Sequence, residues 1–239
     1  MKDELFQLWV YLSATPLAGL TVTLVAYQIG VAVYRRSESN PIANPVLIAV
    51  VLLVALLWAT GTPYRTYFEG AQFVHFLLGP ATVALAVPLY RHFATIRRSA
   101  LAIAVSIVVG SITAIVTAVG TAWLMGASSR TLLSLAPKSV TTPVAMGISE
   151  QIGGLPSLTA VLVILTGILG AVFATWTLNA AGIKDWRARG LSVGVGAHGI
   201  GTARAFQVNE LAGAFASLAM GLNALATAIL VPLLIRLLW

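Results

Sequence analysis

With 239 residues, 59% of them hydrophobic and 9% charged, and a mean hydropathy of +0.93, the chain has too little polar surface for water, where soluble domains carry about 25% charged residues. Its net charge of +7 does not point to nucleic acid, because the basic residues fall between apolar runs instead of gathering on one exposed face. Cysteine is absent, which excludes disulfides, thiolate metal sites and cysteine nucleophiles. The expectation is an all-α integral membrane protein, a single polytopic domain over 1–239.

The first apolar run extends over 5–34. Asp3 and Glu4 precede it where a signal peptide would be basic, so a retained helix crossing at 12–33 is expected. Residues 46–60 form a shorter span, opened by Asn44 and Pro45 as cap and first-turn proline and closed by Gly61. Segment 71–90 is apolar but interrupted by Gly79, Pro80 and Pro88. An uninterrupted span follows at 99–125, then segment 131–149 with Pro137 and Pro143, a span at 158–181, segment 190–206 with five glycines, and a last span at 211–235. About 20 helical residues cross a hydrocarbon core of about 30 Å. The chain therefore reads as seven to eight membrane segments, three of them broken or re-entrant. Backbone groups freed by proline and glycine are tolerated at membrane depth only inside protein or beside a watery cavity.

Three basic loops, Arg35-Arg36, Arg91 with Arg97 and Arg98, and Lys184 with Arg187 and Arg189, belong to the cytoplasm by the positive-inside rule. Tracing the spans through them places the N-terminus outside. Segment 130–150 must then enter and leave on the outer side, as a re-entrant segment with Lys138 to Thr142 near its tip. Regions 44–125 and 155–239 each read as proline-started span, broken segment, long uncharged span, in opposite orientations. Such inverted repeats with discontinuous helices mark many secondary transporters. On this reading 71–90 and 190–206 are counterparts, and 131–149 has no evident twin.

The broken segments hold the candidate site. Lys138 stands between two prolines beside Ser139, Thr141 and Thr142; it either meets an anionic ligand or snorkels to the interface. In the glycine-rich segment, Gly194, Gly196 and Gly199 match G-x-G-x-x-G formally, but no soluble βαβ context surrounds them, so a dinucleotide site is rejected. Close helix approach, or an unwound turn offering N–H groups to an anion, fits better. His198 is either a proton-coupling group or a hydrogen-bonded core residue. Arg204 either makes bidentate contacts to a carboxylate or anchors at the interface. The acidic residues, Glu69 and Glu150 among them, lie in or beside expected loops, so no span carries a buried carboxylate and an anion is favoured over a cation. Glu150 is the nearest candidate for ion coupling, with a neutral structural role as its alternative. His75 and His92 read as interfacial, and Asn179 and Asn223 either line a pathway or bond between helices. No nucleophile with its base, paired carboxylates or metal-ligand spacing is present, so no enzyme activity, cofactor or metal is expected.

Taken together, Pro137-Lys138-Ser139-Val140-Thr141-Thr142-Pro143, Gly153-Gly154-Leu155-Pro156, Gly167-Ile168-Leu169-Gly170, His198-Gly199-Ile200-Gly201-Thr202-Ala203-Arg204 and Gly213-Ala214-Phe215-Ala216-Ser217 resemble the LrgB/CidB family from about Asn40 onward. That family includes antiholin-like proteins and murein-hydrolase effectors. A plastid glycolate/glycerate translocator is related to it, with an LrgB-like domain behind an LrgA-like one. The resemblance implies a carrier of small monocarboxylates such as glycolate, glycerate, pyruvate or lactate in the bacterial cytoplasmic (inner) membrane, working with an LrgA/CidA-type partner. The alternative is an antiholin-like regulator of holin pores and murein hydrolases that transports nothing. On the carrier reading, Lys138 and Arg204 neutralise the carboxylate, with Ser139, Thr141, Thr142 and Thr202 bonding its oxygens. His198 is beside them, and glycines such as Gly201 admit backbone. Ala197 and Gly199 flank His198 where many relatives are expected to have serine before the histidine, which leaves that histidine less constrained. An elevator-type motion of the broken segments and a homo-oligomer complete the expectation.

Overall fold

The computed structural model of the chain describes residues 16–38 and 40–238, and every regular element among them is a helix. Asp3, Glu4 and the beginning of the first expected span lie outside the described residues, as does the side chain of His75. The chain divides between Ala84 and Leu85 into two compact units.

The first unit contains α1 (Pro16–Arg36), a 3-10 turn (Pro41–Ala43), α2 (Pro45–Thr60), α3 (Tyr64–Phe76) and α4 (Leu78–Ala84). Asn44 starts α2 by accepting hydrogen bonds from the Val46 and Leu47 amides at 2.9 and 3.2 Å, and Gly61, at φ +63°, ends it, the cap chemistry that 46–60 implied. Helix α1 meets its neighbours at two glycines. A Cβ on Gly19 would stand 2.5 Å from the Tyr67 carbonyl oxygen, and one on Gly30 2.5 Å from that of Pro45. Small residues let helix backbones approach where lipid removes the hydrophobic drive between helices. Glu69, expected in or beside a loop, is instead an exposed residue of α3, because that helix starts directly after Pro63, ahead of the apolar run.

The expected break at 71–90 takes the form of successive short helices, α3 and α4 followed by α5 (Ala86–Arg91) and α6 (Phe93–Arg98). Pro80 and Pro88 each sit in the first turn of their own helix, where a missing N–H costs least.

The second unit continues with α7 (Ala100–Leu124), α8 (Ser129–Leu135), α9 (Thr142–Gln151), α10 (Pro156–Ala180), α11 (Trp186–Val208) and α12 (Glu210–Leu238). Among the described residues five helical runs are long and apolar enough to cross a membrane, with Pro45–Thr60 as a shorter apolar helix. The chain is a multi-pass membrane protein. Helices α7, α10 and α12 are its long rods, the first two without a charged residue and α12 charged only near its ends, at Glu210 and Arg236, and the two broken segments lie against them.

Both broken segments are hairpins. In 129–151, Ser134 on the entering arm and Ser149 on the leaving arm meet on one side chain: Thr159 Oγ1 lies 2.9 Å from the Ser134 carbonyl oxygen and 2.7 Å from Ser149 Oγ. The break at 136–141 between them lies about 10 Å further in, seven residues of α9 at 1.5 Å each. In α11 the backbone reverses at one residue, His198, at φ +38° and ψ −130°. A Cβ on Gly201 would lie 3.1 Å from the Val193 carbonyl oxygen, and Trp186 shares one small cavity with Arg204 and Val208. A straight helix would separate Trp186 from Val208 by about 33 Å. The second hairpin therefore has arms at 186–197 and 199–208 and its tip at His198. The expected pairing of 190–206 with 71–90 does not describe this shape; 129–151 is the segment that shares it. Glycine content signals a break but not whether the chain turns back after it, and so the likeness was missed.

The hairpins open towards opposite ends of the unit. The base of the first adjoins the N-terminal turn of α10 through Leu155 and Thr159, and near it Leu132 shares a cavity with Trp123 of α7 and Leu234 of α12. The base of the second adjoins the other ends of the same rods. Arg189 donates to Asn179 of α10 at 2.8 Å, and Gly190 packs against Ala212 of α12.

Candidate functional site

The two tips meet in the middle of the unit, and Asn223 of α12 holds them there. Its side-chain amide donates to the carbonyl oxygen of Ser139 at 2.9 Å, on the first tip, and to that of Val195 at 3.3 Å, beside the second. The local reason is plain. Breaking a helix strips its last carbonyls of their i+4 partners, and Val195 would have bonded to Gly199 on the far side of the reversal. Asn223 Oδ1 in turn accepts from Ser111 Oγ of α7. Asn223 is 0% exposed and Ser111 1%, so one buried side chain ties three elements together and satisfies two carbonyl oxygens whose helical partners the breaks remove.

His198 is buried against α10, with Nε2 2.9 Å from the Val163 carbonyl oxygen. A carbonyl only accepts, so Nε2 carries the hydrogen and, in the neutral ring, Nδ1 is the acceptor. A Cβ on Gly167 would come within 2.6 Å of the ring, and one on Gly170 within 2.5 Å of Ala197 Cβ. The two glycines of Gly167-Ile168-Leu169-Gly170 thus make the seat for the second tip. His198 is tightly held, a correction to the looser residue expected from its neighbours Ala197 and Gly199.

On the first tip, Lys138 is half-buried with Nζ 3.4 Å from Ser139 Oγ. Thr141 stands at the N-cap of α9 with extended backbone, but its side chain makes no capping bond. The first-turn N–H groups of α9, with their share of positive helix dipole, therefore face the break beside Lys138.

Of the eight residues singled out in the sequence, Lys138, Ser139, Thr141, Thr142 and His198 belong to the two tips. Gly201 and Thr202 lie just behind, on the returning arm. Gly201 packs on Ala197 and Val193, and Thr202 Oγ1 donates to the His198 carbonyl oxygen at 2.7 Å. Arg204 does not reach the tips. The reversal at His198 carries it about 9 Å back along the returning arm, to the base cavity with Trp186 and Arg189. The expectation that Lys138 and Arg204 clamp one anion is therefore corrected. Glu150 is exposed at the end of α9. Among the described residues no three His, Asp or Glu side chains form a metal-binding group.

A groove of about 580 Å³ runs between α7 and the 186–197 arm, from Ser99, Asp185 and Arg187 at its mouth to Gly110, Thr113 and Gly196 near the tips. Arg187 Nε donates to Asp185 at 3.0 Å, and this partner pulls the Asp185 carboxyl down to about 2. Sequence reading passed over this lining. The signal was there in the hydroxyls Ser99, Ser106 and Thr113, seven residues apart and so on one helix face.

The profile of the LrgB-like family matches residues 23–237. The chain is 37% identical over 219 residues to the uncharacterized protein YwbG of Bacillus subtilis, covering 92% of this chain and 97% of that protein. It is 32% identical to the holin-like protein CidB of Staphylococcus epidermidis (91% and 95% covered) and 31% identical to the antiholin-like protein LrgB of Bacillus mycoides (92% and 95% covered). No solved structure matches.

Proposed function

The chain belongs to the LrgB-like family of membrane proteins, and on that premise we propose that it carries small monocarboxylates, of the glycolate, glycerate, pyruvate or lactate type, without covalent chemistry. The observation that carries this reading is the meeting of two oppositely opening hairpins at Asn223, with Lys138 and the uncapped start of α9 at the junction. Half-helix N-termini directed at the midplane are how many carriers hold an anionic group. Lys138 supplies the charge, Ser139, Thr141 and Thr142 the hydroxyls, and His198 a titratable neighbour. The hairpins also regroup the inverted repeat. In place of 44–125 and 155–239, α7 with 129–151 answers α10 with 186–208. The first hairpin is then re-entrant from the outer face and the second from the basic, cytoplasmic face of the bacterial inner membrane. An elevator-type stroke, a homo-oligomer and an LrgA/CidA-like partner belong to the same proposal.

The test is uptake of labelled glycolate, lactate and pyruvate into proteoliposomes holding the purified chain, with and without an LrgA/CidA-like partner. At least one is expected to enter, with a drop of about tenfold or more in Lys138→Ala. If none enters under either condition, the carrier reading fails. The holin-like and antiholin-like names of these relatives favour a second reading, a regulator of holin pores and murein hydrolases that transports nothing. It predicts no carboxylate-dependent thermal stabilisation in detergent.

A further inference from the structure

Helix α7 treats its hydroxyls in two ways. Thr117 and Thr121, both exposed, donate to the carbonyl four residues back, at 2.6 Å in each case, the usual resting place for a hydroxyl in a helix that lipid surrounds. The hydroxyls of Ser106 and Thr113 make no such bond and have no hydrogen-bond partner among the described residues. Both line the groove between α7 and the 186–197 arm. Across it stand Ser192 and Gly196, and a Cβ on Gly196 would meet nothing within 4 Å. Unbonded hydroxyls in an open groove need water or a polar solute as partner. The mouth lies at the end of the unit that carries Lys184, Arg187 and Arg189, with Arg98 next to Ser99. A groove with a basic mouth raises the local concentration of small anions.

We propose that this groove is a water-filled half-channel through which a small anion passes between the basic end of the protein and the hairpin tips. It rests on the carrier reading for its solute, but its hydration can be tested without transport. Ser106 and Ser192 line the passage midway, Thr113 stands deepest, and at the mouth Arg187, paired with Asp185, stands with Lys184, Arg189 and Arg98 so that positive charge outweighs the one carboxylate.

The absence of cysteine from the natural chain makes the test direct. Ser99→Cys, Ser106→Cys, Thr113→Cys and Ser192→Cys are made singly, with Val108→Cys as control. Val108 is on the opposite face of α7 and 46% exposed. Each variant is treated in right-side-out and inside-out vesicles with the membrane-impermeant anion sulfonatoethyl methanethiosulfonate. The groove cysteines should react at least tenfold faster than Val108→Cys, from the cytoplasmic side only, with Thr113→Cys slowest of the four. Adding Arg187→Gln should slow the anionic reagent severalfold while leaving its cationic trimethylammonium counterpart unaffected or faster. If Ser106→Cys, Thr113→Cys and Ser192→Cys react no faster than the control in either orientation, the half-channel is overturned. Sided labelling in a protein that carries no monocarboxylate would uphold the half-channel and sink the carrier; uptake with unreactive groove cysteines would do the reverse.

Discussion

The hairpin at 129–151 and the hairpin at 186–208 arrive at the same amide by different chemistry. The first breaks over six residues, with Pro137 inside the break and Pro143 just after it, and its arms are fastened by hydroxyls: Ser134 and Ser149 share Thr159, all three fully buried. The second breaks at one residue, and its fastening is the lack of side chains. Gly190 and Gly194 press against the Ala212 and Ala216 carbonyls of α12, and His198 sits where Gly167 leaves room. A polar staple tolerates a little play, because a hydroxyl can rotate to follow its partner. Backbone against backbone tolerates none.

That difference is sharpest where glycine is replaced in each hairpin. A Cβ on Gly194 would stand 2.3 Å from the Ala216 carbonyl oxygen, whereas one on Gly147 of α9 would meet nothing within 4 Å. Gly194→Ala should cost about 3 kcal/mol, seen as a large fall in the thermal midpoint in detergent, and Gly147→Ala should cost nothing or gain about 0.5 kcal/mol of helix propensity. Equal effects would show that the hairpins are not fastened differently. Asn223→Leu removes the bonds to both tips at once and should cost about 2 kcal/mol, near the top of the range for interhelical hydrogen bonds in membranes; it should also increase proteolysis at both tips. Thr159→Val should cost about 1 kcal/mol and loosen the first hairpin alone, with hydrogen exchange rising in 129–151 and unchanged in 186–208.

The rods were legible because their signal is local. The span expected at 99–125 is Ala100–Leu124, that at 158–181 is Pro156–Ala180, and that at 211–235 lies within Glu210–Leu238. The fold-back of 129–151 could also be anticipated, from its prolines and from the charges of the flanking loops. The fold-back of 186–208 could not. Its reversal depends on a histidine at positive φ, a conformation that glycine would announce and histidine does not. Misreading that turn as a simple break is what sent Arg204 to the tips. The hydroxyl row at Ser99, Ser106 and Thr113 was visible in the sequence, but it acquires meaning only once the 186–197 arm faces it.

Asn223 sets a mechanical rule for whatever this protein does. Its amide is bonded to one hairpin and to the other within a site that is 0% exposed. Drawing either tip away alone would break one of these bonds and leave a carbonyl without its partner. The two tips and α12 are therefore coupled like plates of a clutch. They travel together as one piece, or the clutch slips and the junction comes apart.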